Sequence, residues 1–345
     1  MRFGVWTPLP HTVRVEPDME AAIADIRTPG SGGPVDRSFR IAAEVVRRGE
    51  ALGFDTTLIA ERHLGPDLEA WMAAAALIAE TSRIELMVAV HPGIVPPAVV
   101  AKMGASFDRI SGGRFAVNVV NGWFEEEIDL FGNGAWLDRS DARYRRMDEF
   151  LAVMKGLWTE ETFDFDGAFF RARNGRLPIR PVQTPNPPIY AASASPAGKE
   201  IVARHCDCWF VAYEPGFASI DSNMERIADE VAAMNARAGA LGRSMSYGIS
   251  THVICTESTA EAEERALALE EYGRRDPVSA VAAKALGAGL VGTPKRIIER
   301  LRYFEEIGIG TPMVHFHPMR DGLETFAAEI MPAFRARPGR VRNPA

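Results

Sequence analysis

Short apolar runs alternate along this chain with longer stretches in which apolar residues return every three or four positions. The runs predict strands at Phe3–Pro8, Thr56–Ala60, Glu85–Val90, Phe115–Val120, Ile189–Ala192, Trp209–Tyr213, Tyr247–Cys255 and Met313–Phe316. The longer stretches predict helices at Ser38–Leu52, Glu69–Thr81, Ala98–Ile110, Ala142–Trp158, Ala197–His205, Ser222–Ala240, Lys295–Ile307 and Leu323–Phe334. Start signals agree: Pro97 and Pro196 suit first turns, and Thr293-Pro294 reads as a cap followed by the first helical residue. The densest passage is Phe107 to Trp123. There a helix stops at Ser111-Gly112-Gly113 and an apolar strand runs straight into Asn121-Gly122-Trp123.

Eight strands, each followed by a helix, imply a parallel sheet with right-handed crossovers. Closed on itself it is an α/β fold of the (β/α)8 TIM barrel type; an open doubly wound sheet is the alternative. The 345 residues exceed the roughly 250 of a minimal barrel, and three insertions account for the difference. They are 9–36, rich in Gly and Pro; 163–188, where F-D-F-D-G-A-F-F-R-A reads as a hairpin; and 256–292, partly helical. The whole of 1–345 reads as one domain. The first and third insertions leave the C-terminal ends of strands, where they could act as lids.

Composition changes this picture little. The net charge of -7, from 39 basic and 46 acidic residues, argues against a general nucleic-acid binder. Arg335, Arg337, Arg340 and Arg342 form a basic tail that reads as solvated or partner-docked. The chain starts directly as a strand, without a leader-like apolar segment, and no stretch approaches a bilayer span. Cys206-Asp207-Cys208 is too tight for an ordinary disulfide, so a reducing cytoplasm is expected, with buried thiols preferred over a metal or redox pair.

Ligands of such folds gather at the C-terminal ends of strands. There the sequence places His11; Glu61, Arg62 and His63; His91; Asn118 and Asn121, with acidic Glu125, Glu126 and Glu127 following; Ser193 and Ser195; Tyr213; His252; and His315 and His317. In A-S-A-S-P-A-G-K-E, two hydroxyls precede a helix opened by Pro196. That arrangement suits a phosphate or a plain Ser cap. Gly292-Thr293-Pro294 is a competing phosphate position that reads better as a cap. His315-Phe316-His317 puts two imidazoles on one strand face. With His63, Glu61 or His91 they raise a metal-dependent hydrolase as a reading from another class. No nucleophile elbow, dinucleotide loop or phosphate loop occurs.

The chain resembles the bacterial luciferase-like flavin monooxygenases over nearly its whole length. The matching segments, in the family's order, are G-F-D-T-T-L-I-A-E-R-H, D-R-I-S-G-G-R-F-A-V-N-V-V-N-G-W, A-R-Y-R-R-M-D-E-F-L-A-V-M-K-G-L-W-T, F-D-F-D-G-A-F-F, P-P-I-Y-A-A-S-A-S, L-V-G-T-P and I-G-I-G-T-P-M-V-H-F. N-G-W-F-E-E-E and R-Y-R-R look most like the dimethyl-sulfone and alkanesulfonate monooxygenases.

That resemblance implies a barrel binding FMN as FMNH2, which a separate NAD(P)H-dependent flavin reductase would supply, and a homo-oligomer. Carried over by position, Glu61, Arg62, Asn118, Glu127, Arg143, Tyr144, Ser193 and Ser195 would contact the flavin. His252 would be catalytic, with Arg62 stabilising an anion and His317 a second polar group. The implied reaction uses O2 to break the C–S bond of a small organosulfur compound. Arg62 stands where luciferases carry a catalytic His. Ser250 stands where alkanesulfonate monooxygenases have an Arg, and His317 where they have a Tyr; their strand-two Cys is missing from G-P-D-L-E-A-W. Without that arginine, either Arg62 supplies the cation or the substrate is neutral, such as a sulfone. An F420-dependent oxidoreductase of the same superfamily is the nearest alternative, and a non-catalytic flavin-binding protein a further one.

Overall fold

Eleven strands form among the described residues, and eight of them close a ring. They are β1 (Gly4–Trp6), β2 (Thr56–Ile59), β3 (Glu85–Val90), β4 (Phe115–Val119), β5 (Phe163–Asp166), β6 (Arg171–Gly175), β7 (Ile189–Ala192), β8 (Cys208–Phe210), β9 (Ser246–Cys255), β10 (Leu290–Gly292) and β11 (Ile309–Phe316). The parallel order runs β9-β11-β1-β2-β3-β4-β7-β8, and β8 pairs back onto β9. That last pairing closes the (β/α)8 barrel and overturns the open-sheet alternative. The computed structural model describes residues 1–13, 15–28, 30, 33, 35–122, 124–275 and 285–335. Expectations for Trp123, for the middle of 256–292 and for Arg337, Arg340 and Arg342 lie outside them.

Local signals explain the helices. α1 spans Pro17–Arg27 and α2 spans Arg37–Leu52, where the Asp36 side chain accepts from Phe39 N at 3.1 Å. α3 (Ala70–Glu80) is capped by Glu69, and α4 (Pro97–Ser111) carries Pro at its first position. The chain leaves α4 through Gly112 and Gly113 at φ +69° and +84°, a left-handed turn that a side chain would strain. α5 (Glu125–Phe131), α6 (Ser140–Thr159), α7 (Pro196–His205), α8 (Ile220–Ala240) and α9 (Thr259–Arg275) follow.

Three elements differ from the sequence expectation. The 9–36 insertion contains α1, whose Met19, Ala22 and Ile23 are buried. The acidic stretch after β4, for which the sequence predicts no helix, is the short helix α5. The 256–292 insertion returns as β10, which adds to the far end of β9. The 163–188 hairpin forms as antiparallel β5 and β6.

Along each ring strand alternate residues face the barrel interior. Its lower layer is apolar: Leu58, Met87, Ala116, Tyr190, Cys208, Phe210 and Met313, with Trp6 packed against them. Two residues further along the same faces stand Asn118 on β4 and His315 on β11, and His315 pairs in register with His252 on β9. The interior therefore turns polar toward the C-terminal ends. Cys206 and Cys208 are free and buried, and burial pushes both thiols up, Cys208 to about 12, as expected of inert core thiols.

Candidate active site

The polar layer is built on rings. Trp6 stacks on His315 at 4.4 Å between centroids, and His315 stacks on His252 at 4.9 Å. Trp6 Nε1 donates to Ser250 Oγ at 3.2 Å, which ties β1 to the strand carrying His252. Burial drives the His252 imidazole down to about 3, with His317 adding to the shift, and holds His315 well below its ordinary value. Both rings are thus neutral at physiological pH. Neither ring nitrogen of His252 has a partner, nor do His315 Nε2, Asn118 Oδ1 and Asn121 Oδ1, and all five atoms are buried. Native interiors rarely leave such groups unmade without a ligand or water to complete them.

Beside this layer opens a cavity of about 640 Å³ lined by Asn121, Ser140, Arg143, Tyr144, Ser193, Phe210, Val211 and Ser250, among others. It joins the ends of β4, β7 and β8 and the middle of β9 to the start of α6. Arg143 stacks on the Trp136 ring at 4.3 Å and donates to the carbonyls of Leu137 and Asp138. Gly198 lies so close to Ser193 Oγ and Tyr144 that a Cβ there would collide with both. Ser195 Oγ accepts from Gly198 N at 3.1 Å, so it caps α7. Thr293 likewise accepts from Arg296 N, as the cap reading of Gly292-Thr293-Pro294 expects.

Glu61, Arg62 and Glu127 gather on the other side of β4. Arg62 Nε donates to Glu127 Oε1 at 2.8 Å, and its guanidinium lies over the Phe124 ring at 3.6 Å. Glu127 is 2 % exposed and the Arg62 side chain half-buried, so the two form a partly buried, mutually neutralised ion pair. They border a second cavity of about 640 Å³ whose other charged lining residues, Glu125, Glu126 and Asp129, are acidic. Glu61 accepts from Ala70 N at 2.8 Å at the start of α3. Burial raises its carboxyl to about 7 against that hydrogen bond, with Glu69 and Asp67 adding to the rise. His317 lies just past β11, where its Nδ1 meets Glu16 Oε1 at 3.1 Å; the first insertion holds it.

The histidine rim does not assemble into a metal centre. Among the described residues no group of three or more His, Cys, Asp or Glu side chains could hold an ion. His63 lies 5.5 Å from His91, ring to ring, and 3.8 Å from Glu61 Oε1, while His315 is committed to the ring stack.

The model of a family described as luciferase-like monooxygenase matches residues 1–311. The chain belongs to this family. An FMNH2-dependent dimethylsulfone monooxygenase from Pseudomonas putida is 31% identical over 290 residues, covering 75% of this chain and 77% of that protein. Among solved structures, a riboflavin lyase with modified FMN and riboflavin has a TM-score of 0.74 at 18% identity, covering 97% of this chain and 91% of its own. A monooxygenase from Streptomyces bottropensis gives 0.74 at 22%, covering 97% and 100%. At these identities the two structures show the fold.

Set against the residues expected from sequence, this luciferase-like barrel has two groups. Arg143, Tyr144 and Ser193 line the cavity, and Asn118, Ser195 and His252 stand within two residues along the chain of its lining residues Val120, Ala194 and Ser250, while Glu61 and the paired Arg62 and Glu127 lie beyond β4. Sequence reasoning missed Arg146, three residues after Arg143 on α6 and 4 % exposed. It also missed the bond between His11 Nδ1 and Asp67 Oδ1 at 2.9 Å, which ties the loop after β1 to the loop after β2. R-Y-R-R carried a signal for Arg146, since its i+3 spacing puts both arginines on one side of the helix.

Proposed function

We propose that this protein is an FMNH2-dependent two-component monooxygenase that uses O2 to cleave the C–S bond of a small, neutral organosulfur compound such as a sulfone. The observation that carries the reading is the set of five buried, partnerless polar atoms at the polar end of the barrel, one of them on Asn121 in the wall of a cavity of flavin size. A flavin ring brings both N–H donors and carbonyl acceptors, so Asn118 and Asn121 would accept from it. Ser193 and Tyr144, with Arg143 as the fixed charge, would hold its phosphate, and Ser195 would order the start of α7 beside them. Reduced FMN would supply the electrons that activate O2.

The chain's own tasks are positioning, drying and proton transfer. The apolar lower layer of the barrel excludes water beneath the reacting centre. His252, neutral and unpaired, presents an N–H at one ring nitrogen and a lone pair at the other, so it would hand a hydrogen bond or proton to an oxygen developing charge beside it. The Arg62–Glu127 pair bears on substrate charge. Glu127 already answers the cation, so Arg62 offers no spare charge for a sulfonate, and Ser250 offers none either. Both favour a neutral substrate. His317, engaged by Glu16, would act from the edge of the site. We place the enzyme in the cytoplasm beside an NAD(P)H-dependent reductase, as one 1–345 domain assembled into a homo-oligomer. Among the described residues no helix is long and apolar enough to cross a membrane.

Anaerobic fluorescence titration with reduced FMN and, in parallel, reduced F420 tests the cofactor. Preference for FMN supports the reading, and preference for F420 moves the chain to hydride transfer. Aerobic turnover with a flavin reductase then compares dimethyl sulfone with methanesulfonate. A faster sulfonate reaction would overturn the neutral-substrate assignment.

A further inference from the structure

Arg146 has the one buried guanidinium among the described residues with two nitrogens left without a partner. Its Nη1 donates to Ala135 O. The orphans are Nε and Nη2, the two nitrogens on the opposite edge of the guanidinium, whose N–H bonds run nearly parallel. That edge is the fork that matches the two oxygens of a carboxylate or sulfinate. Arg62 gives its Nε to Glu127, and Arg143 lies over Trp136; Arg146 spends neither Nε nor Nη2 on any partner. A buried cation with an unused fork is costly unless an anion completes it.

The surroundings point the same way. Arg146 lines a cavity of about 360 Å³ between the loop after β3 and the segment 132–137. The other lining residues are glycines or apolar side chains, Ile94, Trp136, Leu137, Phe169 and Phe170 prominent among them, and none is acidic. The guanidinium is seated against Gly93, at φ +109°, where a Cβ would collide with it. Trp136 and Leu137 line this cavity, while Arg143, which lies over Trp136 and donates to Leu137 O, lines the other, so Arg143 and Arg146 of α6 line different cavities.

The geometry points to a second binding site, for a small organic anion with a carboxylate or sulfinate head and a short apolar tail. The head would sit in the Arg146 fork and the tail among Ile94, Leu137 and Phe170. Neither the flavin nor the sulfone reading is needed for this site, and either can fail without it.

Butyrate is the probe, with butyramide as its uncharged counterpart, both titrated calorimetrically into the full chain. Butyrate is expected to bind and to raise the melting temperature, with butyramide at least about tenfold weaker. Arg146→Lys keeps the charge and loses the fork, and should weaken butyrate about tenfold or more while the protein stays folded by circular dichroism. Should the lysine variant unfold, Leu137→Glu in a second protein places a carboxylate on the cavity wall and should abolish butyrate binding. Equal binding of butyrate and butyramide, or none of either, overturns the proposal. So does butyrate binding that saturating FMN abolishes, because the anion would then sit in the phosphate cradle.

Discussion

The two ends of the barrel treat buried polar atoms in opposite ways. At the N-terminal end, Asp108 is fully buried and accepts from Val182 N at 2.6 Å, Gln183 N at 2.9 Å and Gln183 Nε2 at 2.7 Å. Arg114 donates to the carbonyls of Ile78, Thr81, Ile84 and Ser111 and to Thr81 Oγ1, closing the end of α3. Glu50 gathers the N–H groups of Ser82, Arg83 and Ile84. At the C-terminal end Asn118, Asn121, His252 and His315 carry buried polar atoms that bond to nothing. Saturated bonds hold a fold together, whereas unsaturated ones in a dry pocket are places kept for something else. D-R-I-S-G-G-R, one of the segments that carry the family resemblance, therefore works as a structural clasp, and the proposed chemistry lies at the other end of the strand it introduces.

The contrast breaks first at Asp108. Asp108→Ala strands three donors and should cost about 3–5 kcal/mol in urea unfolding, while the fraction that folds keeps its flavin affinity. A loss below about 1 kcal/mol would show that the lower end is not held by this carboxylate. His252→Ala should behave in the reverse manner. Removing a ring with no hydrogen bonds offsets part of the cavity it leaves, so stability should move by about 1 kcal/mol. Turnover should fall about 10²- to 10³-fold with little change in flavin affinity. A large stability loss with near-normal turnover would make the rim histidine another structural residue.

Much of this architecture was legible in the sequence. Each ring strand appeared as an apolar run because a barrel strand is covered on both faces. The helix α1 was hidden by the Gly and Pro residues flanking it, although Pro17 at its start and Met19, Ala22 and Ile23 at helical spacing carried the signal. α5 was hidden because E-E-E-I-D-L-F buries only Glu127 and Ile128, too few to show a period. In the site, residue types at strand ends could be read, but pairings could not. Nothing in the sequence says that Glu127 claims Arg62, that Glu16 claims His317, or that Arg146 is left with an unpartnered fork. Those depend on which loops meet above the barrel.

Ser195 sits where the two kinds of behaviour meet, since its hydroxyl caps α7 and borders Ser193 at 3.4 Å. Ser195→Ala should cost about 1 kcal/mol of stability through the lost cap and about fivefold in FMN affinity. Ser195→Asp sharpens the test, because Asp caps equally well but repels a phosphate. Stability should return while FMN affinity falls further. If the aspartate variant binds FMN as the wild type does, Ser195 is a cap and nothing more.

The smallest effects are in the pH dependence, and there the two ends should differ in sign. Burial would raise the Glu50 carboxyl, but the backbone N–H groups of Ile84, Arg83 and Ser82 outweigh it and hold the group at about 2. A depressed carboxylate adds stability that is complete above its ordinary value of 4.5 and is lost as pH falls toward 2. The stability difference between wild type and Glu50→Gln should be level above that value and vanish in acid. It should stay below about 1 kcal/mol, because the group is largely solvated. Glu61, raised to about 7, carries the opposite linkage: its folded form keeps the proton, so stability is lost as pH rises from 4.5 through 7. Wild type should weaken relative to Glu61→Gln across that interval and run parallel to it beyond. Thermal melts from pH 3 to 8 on the two variants read both slopes. Slopes of the same sign would mean that Glu61 is as well solvated by hydrogen bonds as Glu50, and that the rim is not the dry, unsaturated end of the barrel.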